Sequence, residues 1–300
     1  MSASSRTVNR PKLPEVDWDL LVSRIRQGKC TPFLGAGACA GVLPLGKDIA
    51  QAWARRYEYP LRDSTDLVRV AQFLAVQARD SLFPKEKIKA QFENIAPPDF
   101  NQPCEIHGIL ADLPLPMYIT TNYDDFMVKA LSSRGKEPLT ELCRWNDALK
   151  ESPSIFDQEP KVTLTPQRPV VFHMHGHISE PESIVLTEDD YLDFLINMSE
   201  DPQLLPPPIR EALTKTSLLF LGYRLADWNF RVVFRSLVSY LKRGFARAHV
   251  SVQVAPGRLS PNQLGRAIEY LDNYFKELKV SVYWGTCQEF ARDLSEKMRK

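Results

Sequence analysis

The chain of 300 residues has no uninterrupted apolar run of the length that crosses a bilayer, and its opening MSASSRTVNR holds no hydrophobic stretch of the secretory kind. Membrane spanning and export are therefore not expected, and a cytoplasmic location is. Five cysteines, Cys30, Cys39, Cys104, Cys143 and Cys287, are scattered with no C-x-x-C pair. That spacing argues against a disulfide framework and against a cysteine zinc site. Charge of one sign is also missing: 38 Lys and Arg face 37 Asp and Glu, a net +1. No overall field draws in a phosphate polymer, so nucleic acid is not an expected partner. Internal repeats are absent.

What is present reads as globular. Hydrophobic residues make up 44% and charged residues 25%, which leaves only the polar residues 1–12 as an expected disordered tail. Six short apolar runs recur along the chain, TPFLGAG, MYITTN, VVFHMHG, SLLFLGY, HVSVQVA and VSVYWG, each followed by a segment of helical period. Such alternation predicts an α/β fold, Rossmann-like, with a mostly parallel six-stranded sheet and helices on both faces. The runs are apolar throughout, as expected of strands covered on both sides. Between the first two lie helical patterns at Asp48–Tyr57, Asp66–Ala78 and Lys85–Ile95, too many for one crossover, so residues 45–112 are read as a small helical insertion layer. Residues 132–167, polar and punctuated by proline, are read as an irregular insertion within a single domain spanning 1–300. Thr187, with Asp190 three residues on, is the expected N-cap of a helix.

Three places carry chemistry. TPFLGAGACA sets Gly35, Gly37 and Ala40 after a strand in the G-x-G-x-x-A form of the dinucleotide fingerprint, where small residues let a diphosphate reach backbone N–H groups. A tight strand-to-helix turn would use the same glycines. The acidic residue that a dehydrogenase needs about 20 residues on has only Glu58 as a candidate, inside a helical stretch, which disfavours that class. MYITTNYDD places Asn122 and Asp124 at the C-terminal edge of a strand, where ligands of open α/β sheets bind; helix capping is the alternative. VVFHMHGHI spaces His173, His175 and His177 two apart. Zinc binding by the three is disfavoured because Gly176 is expected to end the strand before His177. His173 suits the core, and His175 suits a general base as an imidazole titrating near neutrality.

Together GAGAC (35–39), TTNYD (120–124), His175-Gly176 and the last strand with its Gly285-Thr286 turn resemble the sirtuin motifs, in the same order. The chain is similar in particular to the zinc-less, sirtuin-like NAD-hydrolase domain of bacterial anti-phage defence proteins, through DLVRVAQFL (66–74), HGHISEPESIVLTEDDYLDFL (175–195) and LFLGYRLADWNFR (219–231). It departs from the deacetylases: the four-cysteine zinc module is missing, Thr121 stands for their Gln, and AGVLPLGKDIAQAW replaces their arginine-bearing segment.

The resemblance implies NAD as substrate, with no metal. It implies that Gly35, Ala36 and Gly37 cradle the diphosphate, and that Asn122 holds the ribose or the attacking water. Asp124 would orient Asn122 or the ribose, and His175 would draw a proton from a ribose hydroxyl or from water. Cys39, Thr121, Gly222, Tyr223, Asp227, Gly285 and Thr286 would complete the cofactor contacts, with helix capping the alternative for Asp227 and Trp284 lying under the adenine or packing in the core. The implied activity is an NAD glycohydrolase releasing nicotinamide and ADP-ribose, an effector that forms a homo-oligomer and is switched on by assembly or by a sensor, in a missing C-terminal domain or a separate subunit. A regulatory module that holds NAD without consuming it is the alternative, and a deacylase or ADP-ribosyltransferase the less favoured one.

Overall fold

A computed structural model describes residues 12–201, 204–223, 248–254 and 260–300. The expected tail at residues 1–12 and the candidate Asp227 fall, almost wholly and wholly, outside the described residues.

The framework is a seven-stranded, all-parallel sheet in the order β3-β4-β2-β1-β5-β6-β7. Its strands are β1 (Cys30–Leu34), β2 (Met117–Thr120), β3 (Leu139–Leu142), β4 (Val170–His173), β5 (Ser217–Leu221), β6 (His249–Gln253) and β7 (Val280–Trp284). The six apolar runs are all strands, but the expected count of six is corrected to seven. The extra strand, LTEL, lies inside the stretch read as irregular. It is an edge strand with one buried residue among four, so its sequence has no apolar run to reveal it. Glu141, the buried residue, is satisfied locally by Arg144 at 2.6 Å, the Ser154 hydroxyl at 3.0 Å and the Ile155 N–H at 2.9 Å.

Alternation along each strand splits the core into two layers. Cys30, Leu34, Tyr118, Val171, Leu219 and Leu221 face α1 (Glu15–Arg26), α5 (Ile106–Asp112), α6 (Phe126–Ser133) and α11 (Cys287–Arg299). Phe33, Ile119, Phe172 and Phe220 face α8 (Glu188–Glu200), α9 (Pro207–Lys215) and α10 (Pro261–Glu277), with the short α7 (Ile155–Gln158) alongside. Each fully buried large side chain contributes about 1.5–3 kcal/mol, so both helical layers are held by the same strands.

A third apolar cluster joins α2 (Gly46–Arg56), α3 (Leu67–Ala78) and α4 (Phe83–Phe92) to Ile184 and Leu186. These are the helices expected in the insertion, displaced by a few residues; Asp66 caps α3 by accepting from Val68 N–H. Glu58 is not inside a helix as expected. It follows the end of α2, exposed and with φ of 54°.

A buried ion pair ties this layer to α8: Lys85 Nζ lies 2.7 Å from Asp190 Oδ1. The other Asp190 oxygen accepts from the N–H groups of Leu186 and Thr187, and the Thr187 hydroxyl accepts from Asp190 N–H, completing the expected capping box. Every polar atom of the pair thereby keeps a partner, which burial of two charges requires. No described helix is long and apolar enough to cross a membrane.

Candidate functional site

The chain leaves β1 toward β2 on one side and returns to place β5 on the other. Ligands of open parallel sheets bind outside the strand C-termini at such a reversal. Three loops meet there, after Leu34, Thr120 and Leu221.

The first and third interlock. Gly35 N–H donates to Leu221 O at 2.8 Å and Gly37 N–H to Gly222 O at 2.9 Å, around a short helical turn at Ala36–Cys39. A Cβ on Gly35 would lie 2.6 Å from the Tyr223 ring, and one on Gly37 2.8 Å from Gly222 O. Gly222 has φ of +79°, and its own Cβ would lie 2.3 Å from Ala38 N. Smallness here is demanded by protein against protein, so the glycines serve the tight-turn role in this conformation, with the Tyr223 ring over Gly35. Tyr223 donates to Leu34 O at 2.7 Å, and its hydroxyl also shares a hydrogen bond with Thr121 Oγ1 at 2.7 Å. Gly35, Gly37, Thr121, Gly222 and Tyr223 are thus one constellation.

The second loop places Asn122 and Asp124. Both are buried, and they do different work. Asp124 Oδ1 accepts from Phe126 N–H at 3.0 Å, a turn contact two residues on that satisfies the first N–H of α6. Asn122 caps nothing: its Nδ2 donates to Gly35 O at 3.2 Å and to Cys39 Sγ at 3.3 Å. Cys39 in turn donates its thiol proton to Asp124 Oδ2 at 3.3 Å. Burial and the neighbouring Asp124 push the Cys39 thiol well above its ordinary range, so it stays protonated. Since both amide hydrogens of Asn122 are committed, Oδ1 is the atom left to meet a ligand, and it can only accept. Sequence reading missed what stands behind: His107, buried, lies with Nε2 3.9 Å from Cys39 Sγ and Nδ1 2.7 Å from Glu105 Oε1.

His175 lies beyond β4, which ends at His173, two residues earlier than expected; Gly176 follows with φ of +87°. Its ring is boxed by Tyr191 at 5.4 Å and Phe194 at 5.0 Å, both edge-on, and Nε2 has no hydrogen-bond partner. Burial lowers its pKa to about 3. The expectation of an imidazole titrating near neutrality is therefore corrected: the ring is neutral at any physiological pH. His173, equally buried, is also lowered to about 3 by desolvation, with His177 adding to the effect. His173 and His177 stack edge to face at 4.8 Å, while the His175 ring lies against Tyr191 and Phe194. Among the described residues no three His, Cys, Asp or Glu side chains gather as a metal-binding group.

Two cavities open at this edge. One, of about 350 Å³, is lined by Leu43, Phe92, Asp124, Asp125, Lys129 and His177. The other, of about 380 Å³, is reached past Asp125, His177 and Ser179, which line both. Each is within the size range of small-molecule sites, and Asp124 borders the first. At the far end of the sheet Thr286 caps α11 by accepting from Glu289 N–H at 3.1 Å. A Cβ on Gly285 would strike the Tyr283 ring at 2.5 Å. Trp284 packs in the core, donating to Asp272 Oδ1 at 2.9 Å. This loop is tied toward the cradle by Cys287, whose sulfur accepts a hydrogen bond from the Gly222 backbone.

A seven-stranded, doubly wound parallel sheet defines the class of Rossmann-like α/β proteins. Within that class the chain belongs to the SIR2-like domain family, whose model matches residues 116–280. It is similar to the NAD(+) hydrolase ThsA of Cytobacillus dafuensis, 28% identical over 65% of this chain and 35% of that protein. It also resembles the NAD(+) hydrolase ThsA of Enterococcus faecium, 27% identical over 79% of this chain and 46% of that one, and that of Bacillus cereus (strain MSX-D12), 25% over 79% and 45%. The chain spans less than half the length of these curated relatives.

Proposed function

We propose that this domain hydrolyses NAD, breaking the nicotinamide–ribose bond with water as acceptor and releasing nicotinamide, ADP-ribose and a proton. The observation that carries the reading is the orientation of Asn122. With both amide hydrogens donated to Gly35 O and Cys39 Sγ, Oδ1 is left as an acceptor, suited to a ribose hydroxyl or to the attacking water. Its dipole would also favour the positive charge that develops on the ribose carbon as nicotinamide departs. His175, neutral, has one ring nitrogen with an unshared pair able to take the proton lost by water, and its Nε2 has no hydrogen-bond partner. The walls of Tyr191 and Phe194 exclude bulk solvent from that nitrogen, so turnover requires them to part on the Nε2 side. Gly35, Ala36, Gly37 and Cys39 would meet the diphosphate once Tyr223 moves off Gly35. Thr121, Gly222 and Tyr223 would then line the same crevice, and Gly285 and Thr286 its far end. Such a closed resting site fits an anti-phage effector switched on by assembly of copies or by a sensor.

The test is nicotinamide release from NAD by the purified protein, alone and with candidate activators. Asn122→Ala and His175→Ala, each folded, are expected to lose turnover. Wild-type rates in either variant would refute the assignment of that residue. Tight NAD binding with no turnover under any activating condition would instead support a module that holds NAD without consuming it.

A further inference from the structure

We propose that Glu105, His107 and Cys39 form a buried positioning relay that fixes the Asn122 amide and the Asp124 carboxylate in the orientation turnover requires. The proposal rests on the hydrolase reading of Asn122, and one arm of its test is independent of that reading.

The relay runs through consecutive polar contacts. Glu105 precedes α5 and accepts from Gly108 N–H through Oε2 at 2.5 Å. Its Oε1 accepts a hydrogen bond from His107 Nδ1 at 2.7 Å, and His107 Nε2 lies 3.9 Å from Cys39 Sγ. The ring is held in that attitude by Phe126, edge-on at 6.0 Å. Sulfur is the junction: it faces His107, accepts from Asn122 and donates to Asp124. Capping α5 needs only one oxygen of Glu105, so it does not explain an imidazole clamped to the second. Burying a carboxylate and an imidazole without need is unfavourable. Their combined effect is to fix the place of the Cys39 sulfur, and through it which way the amide of Asn122 is turned. Rotating that amide by half a turn would set Oδ1 against Gly35 O and Cys39 Sγ, opposing acceptor to acceptor. Cys39 is thus a positioning residue here, in addition to its place in the glycine turn.

The experiment compares Cys39→Ala, Cys39→Ser, His107→Phe and His107→Gln with wild type, all checked for cooperative unfolding. Cys39→Ala is expected to lower kcat on the order of 100-fold with KM within about threefold, the cost of misplacing a reacting group by about 1 Å. Cys39→Ser, which keeps a donor and an acceptor at that point, is expected to recover about tenfold of the loss, as is His107→Gln relative to His107→Phe. The independent arm reads the Cys39 S–H stretching band, assigned by its disappearance in Cys39→Ala, and the side-chain NH2 resonances of Asn122. Both are expected to shift in His107→Phe. Unshifted signals in folded His107→Phe, or Cys39→Ala turning over at the wild-type rate, would overturn the relay. Shifted signals in a protein that never releases nicotinamide would support the hydrogen-bond chain and defeat the hydrolase reading instead.

Discussion

Asn122→Asp exchanges one NH2 group for an oxygen at nearly constant volume, which makes it the sharpest probe of the amide's orientation. In the wild type Nδ2 donates to Gly35 O and Cys39 Sγ. A net hydrogen bond is worth about 1 kcal/mol, so truncation in Asn122→Ala is expected to cost about 2 kcal/mol. In Asn122→Asp both contacts become acceptor against acceptor, with Asp124 one atom further through sulfur, and a carboxylate is desolvated. A further 1–3 kcal/mol or so follows from leaving buried polar groups unsatisfied, for a total of about 3–5 kcal/mol at pH 8. At about 2 °C per kcal/mol for a domain of this size, Tm should fall by about 6–10 °C, more than in Asn122→Ala.

The sign of its pH dependence is fixed as well. The introduced carboxyl has its folded pKa raised above the unfolded value of about 3.9, so its penalty is absent below that value and grows as pH rises toward the folded pKa. Thermal unfolding of both variants and wild type at pH 8 and pH 5 is the assay. The Asn122→Asp deficit should shrink at pH 5, while that of Asn122→Ala stays constant. Equal deficits at the two pH values, or Asn122→Asp no less stable than Asn122→Ala at pH 8, would refute the placement of the amide.

Two further outcomes follow from buried groups. His173, His175 and His249 are each lowered to about 3, first by burial, against about 6.5 unfolded. Their contribution to stability is therefore full above pH 6.5 and lost as pH falls from there toward 3, so the urea midpoint should be lower at pH 5 than at pH 7.5; a flat or rising profile would contradict it. Asp190→Ala leaves Lys85 charged and buried, at a cost of about 3–5 kcal/mol, and adding Lys85→Met should restore part of the loss. Unfolding by denaturant measures both, and a double variant no more stable than Asp190→Ala would show that the ion pair is not what matters there.

What could be read from the chain alone follows burial. Strands that are mostly buried announce themselves as apolar runs, and six of the seven were legible, the edge strand β7 among them; LTEL, with one buried residue of four and polar contacts at Glu141, was not. Asn122 and Asp124 were legible because a strand end followed by Asn and Asp is short-range information. What the Asn122 amide bonds was not, since it depends on Gly35 and Cys39, more than 80 residues away. His107 and Glu105 belong to no motif; the one signal was a histidine set in the apolar helix start EIHGIL, where a polar ring must find a partner. The low pKa of His175 was hidden for the same reason, because Tyr191 and Phe194 arrive from another helix.

The interlocked turns after β1 and β5 bear on how relatives are to be sorted. Gly37 fits against Gly222, and Gly35 lies beneath Tyr223, through contacts internal to the polypeptide. A homologue of any activity, or of none, would need those small residues merely to close its sheet. Their presence in a newly sequenced relative accordingly says that the scaffold folds, and is silent on what that relative acts upon.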